Sequence, residues 1–173
     1  MTEFARFRFL PAGAMPRRML LLSTVLCVLL AGGFLWWRSD GRVPPPVPDA
    51  RGAALCRALD RALPHSLQGR ARRDPQPSSP YTAAWRSDPR TVLKCGVPVP
   101  PVLLEQRELD GATVNDVDWL IEKLDGGDYR FTTVERRTTV EVTVRAGAYA
   151  NPTDVLPQLS DAVAKTVPSR FTQ

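Results

Sequence analysis

Residues 19–37 carry no charged side chain, and this run constrains the chain more than any other feature of its sequence. As a helix it would be about 28 Å long, close to the thickness of the hydrocarbon core of a bilayer. Arg17 and Arg18 precede the run, and Trp36 and Trp37 end it, where interfacial aromatic residues are common. The run therefore predicts a transmembrane helix over residues 19–37.

The net charge of +5 is concentrated around this apolar run. Residues 1–42 hold six arginines and two acidic residues, so residues 43–173 carry a net charge of only +1. This distribution argues against a nucleic-acid partner and favours contact with lipid headgroups. Arginines are more frequent before the run than after it, which predicts a single-pass protein of the cell membrane, with a cytoplasmic tail at 1–18 and the rest outside. Cleavage of the segment as a signal peptide stays open.

A proline-rich segment follows the predicted membrane helix. Residues 38–49 include four prolines, three of them consecutive, which is typical of an extended spacer. We therefore predict a linker over 38–49 and one extracytoplasmic domain over 50–173.

Periodicity in the domain predicts two helices and about four strands. Apolar residues recur at helical spacing over 50–63 and again after Asn151, which we expect to cap the closing helix. Alternating patterns indicate strands over 91–97, 117–122, 129–135 and 139–145, whereas 64–90 is rich in proline and resembles a loop. The predicted fold class is α+β, with a mostly antiparallel sheet and both helices on one of its faces.

Two cysteines lie in the predicted domain. Cys56 shares a helix face with Leu59 and Leu63, and Cys95 shares a strand face with Leu93 and Val97. Both thiols thus face the interface between helix and sheet, which predicts a disulfide in an exported domain. A zinc site lacks ligands, because His65 is the only histidine of the chain.

Residues that could carry chemistry are few, and we predict no catalytic, cofactor-binding or metal site. Asp116 and Asp118 would share one face of a strand, where they could act as a carboxylate pair or simply be solvated. His65 and Ser66 are adjacent but lack an evident third partner. With Asp116 and Asp118, the indoles of Trp85 and Trp119 could form a ligand surface, although core positions are the alternative for both indoles.

A cluster of three arginines occurs in the proline-rich stretch, at positions 70, 72 and 73. Such a cluster is usually a solvated surface, and contact with an anion or a lipid is the alternative.

The order of motifs along the chain also resembles a known family. These motifs are Cys56-x-x-Leu59, Leu63-Pro64, Trp85, Leu93 to Pro98 with Pro100 and Pro101, Val114-x-x-Val117-x-Trp119, and Leu159 to Ala162. They resemble the actinobacterial envelope family known as domain of unknown function thirty-five fifteen (DUF3515), over about residue 50 to the C-terminus. The resemblance implies export and an uncharacterised role, with no catalytic residues to transfer.

These features predict a tethered, non-enzymatic module of the cell envelope that binds lipid through residues 19–37 and, in addition, an envelope protein or a cell-wall component. The alternative is an envelope hydrolase or transferase that uses the two aspartates, or His65 with Ser66.

Overall fold

The computed structural model describes residues 21–30, 42–105 and 109–171, and the chain divides into two compact units, 1–41 and 42–173. In the first unit, residues 21–30 form a helix, α1. No helix among the described residues is both long and apolar enough to cross a membrane. The predicted segment 19–37 is described only at 21–30, and the remainder of it, like the tail 1–18, lies outside the described residues. The transmembrane helix stays a prediction.

Eight strands and two helices of the second unit lie in the described residues. The strands are β1 (Ser66–Leu67), β2 (Arg70–Ala71), β3 (Thr82–Trp85), β4 (Thr91–Val97), β5 (Gly111–Val114), β6 (Val117–Lys123), β7 (Tyr129–Thr133) and β8 (Thr139–Val144). The helices are α2 (Ala50–Ala62) and α3 (Leu156–Thr166). Six strands form one antiparallel sheet in the order β3–β4–β8–β7–β6–β5, and β1 pairs only with β2.

The α+β class and the antiparallel sheet confirm the prediction, but the number of strands was underestimated. The four residues of β3 are all buried, so this strand shows no alternation of apolar and polar side chains. Strand β5 has the sequence Gly-Ala-Thr-Val, which carries little strand propensity in its first half. Strand β3 also lies within the proline-rich stretch 64–90, which made this part of the chain resemble a loop.

The stretch 64–90, predicted to be a loop, also contains the hairpin β1–β2. Its turn residue Gln68 holds the hairpin to the start of α3. The side-chain amide of Gln68 donates to the carbonyl of Asp154 at 2.7 Å, and its backbone N–H donates to the side-chain oxygen of Gln158 at 3.1 Å. The hairpin is therefore tied to the far end of the sequence.

The two helices begin in different ways. The carboxylate of Asp49 accepts the N–H of Gly52 at 2.6 Å and so caps the N-terminus of α2. At the closing helix, the side chain of Asn151 makes no capping hydrogen bond, so that part of the prediction is wrong. A short 3-10 helix, Pro152–Val155, leads instead into α3, and Pro157 is tolerated because it lies in the first turn.

One hydrophobic core lies between the helices and one face of the sheet. Inward-facing strand residues include Leu93, Phe131 and Val142, and all three are almost completely buried. Leu59 of α2 and Leu159 of α3 belong to the same cluster. Both helices therefore cover the same face, as the sequence predicts.

Residues 42–49 lie within the second compact unit. Val43 is buried, and its N–H donates to the carbonyl of Gln76 at 3.0 Å. Pro48 packs against Gly96 at the end of β4. The ordered domain thus includes residues before the predicted start at 50, whereas the spacer role of 38–49 stays a prediction.

Candidate functional site

The predicted disulfide is present. Cys56 and Cys95 are bonded to each other, with their Cα atoms 5.6 Å apart, and both residues are completely buried or nearly so. The bond joins α2 to β4 at the interface that the periodicity predicts. Cys27 is a free thiol in the first unit.

Both domain tryptophans lie in the core. Trp85 is 0% exposed and Trp119 is 1% exposed. Each indole N–H has an internal acceptor: that of Trp85 donates to the carbonyl of Pro64 at 3.1 Å, and that of Trp119 donates to the hydroxyl of Ser160 at 2.9 Å. The structure therefore gives these side chains the alternative role, packing in the core.

Asp116 and Asp118 do not form a pair on one strand face. Asn115 and Asp116, both with positive φ, make the two-residue turn between β5 and β6, and only Asp118 lies in the strand. The carboxylate of Asp118 accepts the Thr113 hydroxyl at 2.5 Å, whereas the backbone carbonyl of Asp116 accepts a hydrogen bond from the Arg136 guanidinium. Asn115 turns to α3, where it donates to the carboxylate of Asp161 at 2.9 Å. A ligand-binding role for the two aspartates stays a prediction.

The other catalytic candidates are not assembled either. His65 and Ser66 are exposed at the start of the small hairpin. Within the described residues, no side-chain hydrogen bond joins them to each other or to a carboxylate. In the same residues, no three His, Cys, Asp or Glu side chains come close enough together to hold a metal ion.

Arg72 has a structural role that the sequence did not reveal. Its guanidinium donates to the carboxylate of Asp74 at 2.7 Å and to both the carbonyl and the carboxylate of Asp60. Burial lowers the pKa of Arg72, but the hydrogen bonds to Asp74 and Asp60 outweigh it and raise the pKa above its usual value. Arg72 therefore anchors the hairpin to α2, while Arg70 and Arg73 remain exposed.

The face of the sheet opposite the helices carries a row of alternating charges across four neighbouring strands. From β4 to β6 the row is Lys94, Glu141, Arg130 and Glu122, which we call the charged row. The ammonium of Lys94 lies 3.7 Å from one oxygen of Glu141, and Nε of Arg130 lies 3.7 Å from the other. Nη1 of Arg130 lies 3.8 Å from Glu122. Leu59 of α2 and Leu159 of α3 belong to the core on the opposite face of the sheet.

A cavity of about 380 Å³ lies at the β5 and β6 side of the same sheet. Leu103 and Leu120 give it an apolar wall, and Asp110, Thr113 and Asp118 give it a polar one. Asp116 is not among the residues that line it. The cavity is thus lined by Asp118 and Trp119, two of the four residues predicted as a ligand surface, together with residues that the sequence did not single out.

The charged row could not be recognised from single strands. Glu141 and Glu122 alternate with apolar residues, which indicates an exposed face, but the row exists only because β8 lies between β4 and β7. That order depends on pairing between distant segments.

Comparison with known proteins gives one match. The family DUF3515, described as a protein of unknown function, matches residues 22–171. No curated protein and no solved structure matches the chain. The match covers all of the sheet and both helices of the domain together with most of the described part of α1. The chain therefore belongs to the family DUF3515, as its motifs suggest.

Proposed function

We propose that this protein is a membrane-tethered, extracytoplasmic and non-enzymatic module of the cell envelope. Residues 19–37 hold it in the bilayer, and the face of its sheet that carries the charged row binds an envelope protein.

Helix α1 supports the tether. Its large apolar side chains are 56–70% exposed, and its ten described residues include no charged side chain. An uncharged helix that exposes this much apolar surface is unfavourable in water and is typical of a membrane span or a buried helix. Arginines before the predicted span and tryptophans at its end match the flanks of a membrane segment.

The charged row carries the binding part of the proposal. Its partly exposed side chains present alternating positive and negative charge along a line that crosses four strands. The four side chains keep 19–37% of their surface exposed, so a partner that covers this face can reach their charges. A fixed alternation of charge selects a partner with the complementary pattern and excludes others by repulsion. A protein segment supplies such a pattern, and a neutral glycan does not.

The geometry gives the enzyme alternative no support. A hydrolytic site needs its acid, base or nucleophile within hydrogen-bond reach of a common substrate position. Asp116 lies in a turn outside the cavity that Asp118 lines, and His65 is exposed on the separate hairpin.

Site-specific crosslinking in cells tests the protein partner. A photoreactive amino acid replaces Thr143, which lies on the face of the charged row, or Arg61, which is exposed on α2. We expect a discrete protein adduct from position 143 and none from position 61. A matched variant inverts the row (Lys94→Glu, Glu141→Lys, Arg130→Glu and Glu122→Arg), which keeps its internal pairs but reverses the pattern.

The adduct should disappear in the inverted variant. An adduct that survives inversion, or equal adducts from both positions, would contradict the proposed binding face. Retention of the chain on purified cell wall without any protein adduct would contradict the protein partner in favour of a glycan.

A further inference from the structure

The exposed large hydrophobic side chains of the second unit occur at one place. In residues 42–105 and 109–171 they are Val47, Leu104 and Phe171, with 94%, 77% and 73% of their surface exposed. Isolated exposed apolar residues are ordinary, but a cluster of them marks a surface that contacts an apolar phase or a partner.

These three residues line two adjoining cavities. Val47 lines one of about 530 Å³, and Leu104 and Phe171 line one of about 290 Å³. Val99, Thr139 and Arg170 belong to both walls, so the two cavities form one groove, which we call the strand-end groove. It lies where β4 ends and β8 begins.

The groove is slightly basic. Arg136, Arg137 and Arg170 lie in its walls, against the carboxylates of Asp49 and Glu135. The guanidinium of Arg136 donates to the carbonyls of Asp116 and Val167, and Nε of Arg170 donates to the carbonyl of Arg136. The carboxylate of Asp49 is occupied by the N–H of Gly52 at the start of α2. Arginine side chains beside exposed apolar residues are suited to the boundary of a bilayer, since their stems lie along apolar surface while their guanidinium groups reach phosphates.

The length of chain before the domain limits how far the domain can be from the membrane. The fold begins at Val43, which is buried and hydrogen-bonded to Gln76. Only residues 38–42 separate it from Trp37, the end of the predicted span, and six extended steps reach about 20 Å. Val47, at the mouth of the groove, follows four residues later. The end of the predicted span can therefore be no farther than about 20 Å from Val43.

We propose that the strand-end groove rests on the outer surface of the bilayer. Val47, Leu104 and Phe171 enter the interface between headgroups and acyl chains, and the positive charge of the groove attracts the phosphates of anionic lipids. This inference rests on the membrane tether of the proposed function, and it leaves the charged row available to a protein partner.

Fluorescence quenching in vesicles tests this orientation. The full chain is reconstituted in vesicles of phosphatidylcholine and phosphatidylglycerol that contain a lipid spin-labelled near its headgroup. A Cys27→Ser background carries one introduced cysteine with an environment-sensitive dye: Leu104→Cys, Phe171→Cys, or the control Asp125→Cys. Asp125 is exposed in the turn between β6 and β7, at the opposite ends of the strands. Chain with dye on its native Cys27, near the middle of the predicted span, reports insertion of the tether in matched vesicles whose spin-labelled lipid carries its label deep in the acyl chain.

We expect loss of fluorescence at positions 104 and 171, little loss at 125, and a smaller loss at 171 when Val47→Asp is added. Val47 is so exposed that this change leaves the fold intact. Two outcomes with Cys27 quenched would overturn the inference and leave the tether standing. One is equal quenching at 104, 171 and 125, and the other is no quenching at 104 and 171. An unquenched Cys27 would overturn the tether, and the inference with it. If Val47→Asp leaves the quenching at 171 unchanged, the groove is not the contact.

Discussion

Pro48 packs so closely on Gly96 that a β-carbon at position 96 would lie 2.5 Å from the β-carbon of Pro48. Gly96 also has a φ of +86°, and it lies where the register between β4 and β8 shifts. Both its conformation and its neighbour therefore require glycine. This contact holds the segment before α2 against the end of β4, next to Cys95.

Gly96→Ala should lower the free energy of unfolding by about 3 kcal/mol, because it adds overpacking to an unfavourable backbone conformation. Gly126→Ala is the matched control, since its φ is +75° and no atom lies within 4 Å of the added carbon. The control should lower the free energy by only about 1 kcal/mol. Urea unfolding of the detergent-solubilised chain measures both, and equal losses would contradict the packing argument.

Loss of the disulfide should destabilise the domain strongly. The bond closes a loop with a sequence separation of 39 residues, and the chain-entropy model gives about 4 kcal/mol for a loop of this size. The double variant Cys56→Ala with Cys95→Ala should therefore unfold at much lower denaturant concentration than the native chain. An unchanged midpoint would contradict the stabilising role.

Thiol counting checks the bond directly. Denatured, unreduced chain should show one reactive thiol, that of Cys27, and reduction should raise the count to all three cysteines of the sequence. Three reactive thiols before reduction would exclude the bond in the folded protein.

Substitution by valine should change the free energy of unfolding in opposite directions at two neighbouring threonines. Thr132 is completely buried, and its hydroxyl has no hydrogen-bond partner among the described residues. The hydroxyl of Thr133 accepts the N–H of Val140 at 2.9 Å. Thr132→Val should raise the free energy of unfolding by about 1 kcal/mol, whereas Thr133→Val should lower it by about 1–3 kcal/mol. Similar losses from both changes in urea titrations would show that Thr132 does have a partner.

Arg72→Met should lower the free energy of unfolding by roughly 2 kcal/mol, because the carboxylate of Asp60 and the hairpin lose a charged hydrogen-bond donor. Arg73→Met is the control, since Arg73 is exposed one residue away, and its effect should be within about 0.5 kcal/mol. Limited proteolysis should cut the Arg72 variant within the hairpin first. Equal stability of the two variants would contradict the anchoring role.

Reporter fusions test the predicted topology. Alkaline phosphatase fused after residue 173 should be active, because it folds only outside the cytoplasm, and a reporter that works only inside should be silent there. The reverse pattern would contradict both the extracytoplasmic location and the environment expected for the disulfide.

Local sequence patterns correctly predicted the helices and strands that bury only one face. The alternation over 139–145 identified β8, and the apolar stripes located α2 and α3. The same information placed Cys56 and Cys95 on facing surfaces, so the disulfide was accessible to reasoning from the sequence. Strand β3 was missed because both of its faces are buried, which removes the alternation.

The candidate site could not be predicted from local sequence patterns, because it depends on which strands are neighbours in the sheet. Lys94 and Glu141 face each other only through the pairing of β4 with β8, which are far apart along the chain. Asp116 and Asp118 alternate in sequence like strand residues, but the two-residue turn at Asn115 and Asp116 separates them. The turn therefore places the two side chains differently from what the alternating pattern predicts.

The position of β8 between β4 and β7 also determines the order in which the protein can assemble. Strands β5 to β8 follow one another along the chain and can pair successively. Strand β4 can complete its pairing only with β8, which is synthesised after all the other strands. Such non-local pairing is slow. Cys56 and Cys95 leave the ribosome before β8, so an oxidant can reach both thiols before the completed sheet encloses them. The chain can thus be cross-linked early and close its core late.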